Sequence, residues 1–273
     1  MIPHYNTKED ILKQLHAMHA PQSSIVLMHS SLRSVGAVEG GAEALLDTLI
    51  EYFTAEGGLF CVPTHTWDTL GKDCLTLDML HPTSNLGALS VIAANRADGI
   101  RSENPCHSMM VFGDRERAKR FVADEPNIKT PTAPNSCYGK LFTERGYVLL
   151  VGVSQAKNTF LHTVDEILNT PDRLDSKPIK TTVRRLDGSI AQKDLLLFEC
   201  SHSKDISERF PKYDTAFRYH GAITDGFVGH APTQLCDAVK MKEIVELILS
   251  RSEGKDPLAT EKPIPPKWYC NKE

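Results

Sequence analysis

The chain has 273 residues, 41% hydrophobic and 24% charged, an ordinary composition for a folded, water-soluble protein with one large core or two small ones. A formal net charge of −4 without any cluster of Lys and Arg argues against a nucleic-acid surface, whose affinity depends on neutralising phosphates. Seven cysteines, an odd number with no Cys-x-x-Cys pair, argue against a disulfide framework and a structural zinc site.

The first residues, MIPHYNTKEDILKQL, carry charges where a signal peptide needs an apolar core. No later run reaches the roughly 18 apolar residues of a membrane span, so a cytoplasmic protein with no membrane partner is expected. SIVLMHSSL (24–32) reads as an apolar strand entering a Ser-rich loop, and GGAEALLDTLIEYF (40–53) as a helix. GGLFCVPTHTWD (57–68) is a second buried strand leaving into a polar loop, followed by a helix at 87–96 and a strand at SMMVF (108–112). YVLLVGV (147–153) is a further strand, with a helix starting just beyond it in NTFLHTVDE (158–166). TTVRRLDGSIAQKDLLLFEC (181–200) has the pattern of a β-hairpin turning at Asp187-Gly188, an antiparallel addition to the sheet. QLCDAVKMKEIVELILSR (234–251) has helical spacing, and 256–273 reads as a Pro-rich irregular tail. Short apolar runs alternating with helices predict a single α/β domain over 1–255 with a mixed, layered sheet.

In open α/β sheets ligands gather beyond the carboxyl ends of the strands. Three such ends carry histidine or hydroxyls: His29-Ser30-Ser31, Thr64-His65-Thr66, and Thr159 with His162. One histidine is ordinarily packed or solvated, and three at equivalent places change that balance. On a helix, Asp165 and Glu166 both lie within reach of His162, so either carboxylate can orient the imidazole. In HSSLRSVGAVEGG (29–41), two serines and Gly36 lead into a helix start and offer hydroxyls and free N–H groups to an anion. The spacing fits neither the P-loop nor the dinucleotide fingerprint. Arg101 and Ser102, in IRSENPCHSMMVFG (100–113), add a guanidinium suited to a phosphate or to an ordinary ion pair. An anion-binding half beside a histidine and carboxylate half suits acid–base chemistry on a phosphate-bearing cosubstrate. A covalent route through Ser30 or Ser31 is a rival, although neither serine sits in a Gly-x-Ser-x-Gly elbow.

Five blocks in order resemble the successive motifs of the aminoglycoside 3-N-acetyltransferases, the antibiotic N-acetyltransferase family: LMHSSLRSVGAVEGGAEALLDTL, GGLFCVPTHTWD, HPTSNLGALSVIAANRADGIRSENPCHSMMVFG, YVLLVGVSQAKNTFLHTVDE and DGFVGHAPTQL. The resemblance implies a three-layer α/β/α fold with a mixed central sheet, distinct from the GNAT acetyltransferases. It also implies metal-free acetyl transfer from acetyl-CoA to an amine of a cationic small molecule, in a monomer or homodimer. On this likeness His162 is the catalytic base with Asp165 and Thr159, assisted by His29. Coenzyme A is expected along Ser30, Ser31, Leu32, Ser34, Val35 and Gly36, with Arg101 and Ser102. Substrate ammonium groups are expected at acids such as Asp68, Asp205, Asp214 and Glu166. Asn104 stands where the family has a histidine, and Asp165 where it commonly has Glu. A relative acting on another amine, or a non-catalytic binding protein, is the alternative.

Overall fold

The computed structural model describes residues 5–66, 75–198 and 206–270. Its strands are β1 (Ile25–Ser30), β2 (Leu59–Pro63), β3 (Leu75–Asp78), β4 (Ile100–Arg101), β5 (Met109–Gly113), β6 (Tyr147–Val151), β7 (Ile179–Arg184), β8 (Ile190–Leu195), β9 (Ile223–Val228) and β10 (Ala231–Asp237). The helices are α1 (Lys8–Ala17), α2 (Leu32–Val35), α3 (Gly41–Thr54), α4 (Ala88–Ala94), α5 (Arg115–Val122), α6 (Cys137–Thr143), α7 (Phe160–Ile167), α8 (Asp214–Tyr219) and α9 (Ala238–Arg251).

Seven strands form one mixed sheet in the order β4-β5-β2-β1-β6-β10-β9. The central β2, β1 and β6 run parallel, and the strands outside them pair antiparallel. The parallel strands are continuous apolar runs because side chains alternate between faces and both faces are covered. Ile25 and Leu27 pack with Tyr138 of α6, Val164 of α7 and Val245 of α9. Val26 and Met28 pack with Leu15 of α1, Leu49 of α3 and Leu89 of α4. The result is the three-layer α/β/α arrangement with a mixed sheet.

The antiparallel hairpin over β7 and β8 is present, but it joins β3 in a separate three-stranded sheet. The antiparallel members of the main sheet are instead β4, β5, β9 and β10. Residues 234–237, expected as the start of the last helix, complete β10, and Asp237 then caps α9 by accepting from the Lys240 N–H. Helix α1 was not anticipated, although Thr7 and Asp10 form a reciprocal capping box at its start.

The described part of the C-terminal segment is irregular, with a 3₁₀ turn at Pro266–Trp268. It is nevertheless part of the core: Leu258, Ile264, Trp268 and Tyr269 are buried with α9. Leu258→Ala should therefore lower stability by about 2–5 kcal/mol, the range for a buried leucine truncated to alanine. A chemical-denaturation midpoint equal to that of the parent chain would show instead that the segment does not dock.

Candidate active site

Parallel pairing sets the site. His29 and Ser30 at the end of β1 lie opposite Leu150 and Val151 of β6, so the loops leaving both strands emerge side by side. The chain after β6 turns through Gln155–Lys157 and starts α7 at Thr159, which delivers Thr159 and His162 to the same end. The end of β2 brings His65. Asn104 brings a fourth imidazole: its Oδ1 accepts from the backbone N–H groups of Cys106 (3.2 Å) and His107 (2.8 Å), fixing the turn that presents His107.

These residues enclose a cavity of about 510 Å³ whose wall includes His29, Ser30, His65, His107, Thr159 and His162, with Leu86, Leu197 and Phe198 supplying apolar surface. Phe198 stacks on the His162 ring at 4.0 Å and 14°, and Phe210 meets it edge-on at 4.9 Å. Those contacts leave the imidazole few orientations. The rings of His65 and His107 are 4.4 Å apart, and Nε2 of His65 shares a hydrogen bond of 2.7 Å with the Tyr138 hydroxyl. Burial pushes His29 down to about 3 and His65 and His107 well below the usual imidazole range, the latter two helped by neighbouring imidazoles. All three are neutral and poor proton acceptors. Thr159 makes no side-chain cap bond to its own helix.

The two acids beyond His162 hold other partners. Asp165 is buried, and its Oδ2 accepts from Nε of Arg173 at 3.1 Å. Burial pushes its carboxyl up and Arg173 pulls it back. Glu166 accepts from the hydroxyls of Thr130 and of Thr132 (2.6 Å), and burial raises its carboxyl too.

The residues expected at coenzyme A divide. Ser30 lines the main cavity, and Ser34 lines a second, open cleft with Gly152, Ser154, Arg218 and Gln234. Ser34 Oγ donates to Ser31 Oγ at 3.0 Å and packs against Gly152, where a Cβ would fall 2.4 Å from that of Ser34. Only glycine permits that approach. Gly36 has φ +82 and takes the His230 ring where its own Cβ would be, while Val35 is core and Leu32 packs against it. Arg101 and Ser102 are turned inward instead. Arg101 donates through Nη2 to the carbonyls of Thr64 (2.8 Å) and Thr83 (3.0 Å), and its Nη1 has no partner among the described residues; Ser102 Oγ accepts from the Met109 N–H at 3.0 Å. Desolvation draws the buried guanidinium down to about 10.

Of the acids expected at substrate ammonium groups, Asp68 and Asp205 lie outside the described residues. Asp214 faces Arg218 at 3.7 Å and accepts from Gln234 at 3.5 Å. Neither Asp214 nor Glu166 is part of the described cavity wall, which carries Lys157 and no carboxylate.

Phe198, Tyr138 and Arg173 were not anticipated, because an apolar residue, a helix tyrosine and a loop arginine carry no motif. His107 had a readable signal in the Asn104 turn three residues earlier. Arg101→Ala removes the donor to the Thr83 carbonyl and one of two donors to the Thr64 carbonyl, and empties a buried site, so it should destabilise the fold by about 2 kcal/mol. A stable Arg101→Ala protein with only a raised KM for acetyl-CoA would return Arg101 to a phosphate site.

Residues 27–250 match the family described as Aminoglycoside 3-N-acetyltransferase. Aminoglycoside N(3)-acetyltransferase IV of a Salmonella species is 27% identical over 251 residues, covering 92% of this chain and 88% of that one. The fold is similar to that of aminoglycoside acetyltransferase AAC(3)-IVa in complex with a gentamicin, with a TM-score of 0.76, 24% identity and coverage of 93% and 92%. It is also similar to AAC-IIIb with CoASH, at a TM-score of 0.74, 19% identity and coverage of 88% and 94%. The chain belongs to the aminoglycoside 3-N-acetyltransferase family of acyltransferases.

Proposed function

We propose that the protein transfers the acetyl group of acetyl-CoA directly to an amino group, with His162 as general base, and that the acceptor is the 3-amino group of an aminoglycoside. The observation that carries this reading is the place of His162: on the cavity wall beside Thr159, held between two phenylalanine rings, in a chain of this family. The family description supports the acceptor, and the coenzyme A complex of AAC-IIIb supports the donor.

An amine at neutral pH is mostly protonated, and it attacks a thioester only as a free base. His162 accepts the nitrogen's proton as the C–N bond forms. The carbonyl electron pair moves onto oxygen, where Thr159 donates a hydrogen bond, a contribution of about 3 kcal/mol when well aimed. The carbonyl re-forms, the C–S bond breaks, and the coenzyme A thiolate leaves with the proton returned by the imidazolium. Asp165, one helical turn on, supplies a negative charge that favours that imidazolium. His29 and Ser30 position the thioester, with the coenzyme A chain running along Ser31 to Gly36. Arg101 and Ser102 contribute by holding the segments that present His65 and His107.

A second reading, a smaller and less cationic amine as acceptor, is favoured by the apolar surface that Leu86, Leu197 and Phe198 give the described cavity wall and by the positive charge of Lys157 on it. A screen of aminoglycosides and simple monoamines, read as thiol release from acetyl-CoA, separates the two. Activity confined to monoamines would remove the aminoglycoside assignment and leave the transfer chemistry in place.

His162→Ala should lower turnover by about 10²- to 10⁴-fold while acetyl-CoA still binds. Asp165→Asn should lower it less, because it removes a charge and not the base. Turnover of the parent enzyme should rise from acid pH as the imidazole sheds its proton. Near-normal turnover of His162→Ala with an unaltered pH profile would place the base elsewhere.

A further inference from the structure

We propose that the C-terminal segment, through Asp256 and Arg173, is a positioning clamp for the His162 base. This rests on the general-base reading above. Arg173 is the hinge of the clamp: Nε donates to Asp165 at 3.1 Å, while Nη1 and Nη2 donate to the two oxygens of Asp256 at 3.1 and 2.8 Å. Arg173 and Asp165 are buried, and Asp256 is about one-third exposed, so the chain of charges runs from the molecule's edge to the helix of the base. A planar guanidinium spends one side on each acid, a geometry that lysine cannot copy.

Two further observations give this chain of charges a direction. The turn that carries Arg173 holds non-glycine residues at positive φ, Asn169 at 51° and Asp172 at 58°, a conformation that needs support from outside the turn. The segment after Asp256 also grips a second wall of the site. Arg209 donates to the Leu258 carbonyl at 2.8 Å, and Lys212 donates to the carbonyls of Pro257 (2.5 Å) and Thr260 (2.6 Å). Arg209 and Lys212 flank Phe210, the ring set edge-on against His162. One short stretch, 256–260, therefore fixes both the helix bearing His162 and the ring that packs on it. Its anchor is Leu258, fully buried, with its N–H donated to Asp256 at 2.8 Å.

The clamp also keeps a buried carboxylate charged. Arg173 on one side, Asp256 beyond it, the Thr170 hydroxyl, Glu166 on the same helix and Tyr213 at the end of a 3₁₀ helix over Ile206–Tyr213 face Asp165, and of these only Arg173 carries positive charge. Without Arg173 the acid keeps its proton to higher pH, and the negative charge beside the base is lost at pH values where the parent enzyme still has it.

The experiment compares Arg173→Met, Arg173→Lys, Asp256→Asn and Asp256→Glu with the parent and with His162→Ala, each with a thermal melt as a folding control. Arg173→Met should lower kcat about 10- to 100-fold, the scale of a small misplacement, with KM for acetyl-CoA nearly unchanged. The acid limb of its kcat profile, set by the imidazole, should move to lower pH, because a neutral Asp165 no longer favours the imidazolium. Asp256→Asn should lower kcat by less, and Asp256→Glu should recover most of it. A folded Arg173→Met enzyme with parental kcat and pH profile overturns the clamp, as does a loss of kcat with no movement of the acid limb. Where Arg173→Met fails to fold, the partly exposed Asp256 decides: equal kcat in the parent, Asp256→Asn and Asp256→Glu overturns the proposal. If His162→Ala retains full turnover, the general-base reading fails; if it is inactive while the clamp variants match the parent, only the clamp does.

Discussion

The site depends on the parallel pairing of two neighbouring strands. β1 and β6 run side by side in register from Val26 opposite Tyr147 to Ser30 opposite Val151, and parallel strands necessarily end at the same edge. The Ser31 N–H continues that pairing by donating to the Val151 carbonyl at 2.9 Å, carrying the order of the sheet into the serine loop. From this edge the chain delivers His29 and Ser30 on one side and Thr159 and His162 on the other. An antiparallel partner at this position would send one of these groups to the far end of the sheet.

Much of this was legible in the sequence because the central strands are buried on both faces and read as unbroken apolar runs. SIVLMHSSL and YVLLVGV located β1 and β6, and the helix bearing His162 followed from its spacing. The edges were harder. APTQLCD mixes proline and polar residues because β10 is a less uniformly buried antiparallel strand, and its last residues run straight into a capped helix, so helical spacing absorbed them. The hairpin was visible from its Asp-Gly turn, but its partner was not, since β3 pairs with β7 across more than a hundred residues of chain. Arg101 shows a similar limit: a guanidinium suited to a phosphate is equally suited to backbone carbonyls, and only burial distinguishes the two.

Four imidazoles share the cavity wall. Burial holds His29, His65 and His107 below the usual imidazole range. His162, buried as well, has aromatic faces against it, and Asp165, one turn along its helix, is paired with Arg173. The irregular C-terminal segment reaches that pair through Asp256. Pro-rich composition foretold its lack of regular structure, whereas its docking depends on a few large side chains, Leu258, Ile264, Trp268 and Tyr269, too sparse to give a periodic signal.

Direct transfer requires amine and thioester together in one cavity, with no acyl-enzyme on Ser30 or Ser31 between them. Initial rates of thiol release, measured while acetyl-CoA and an accepted amine are varied independently, test this most directly. Direct transfer predicts intersecting double-reciprocal lines and no thiol release when the amine is omitted. Parallel lines, or a burst of thiol with acetyl-CoA alone, would contradict it and make His162 the base for a covalent intermediate.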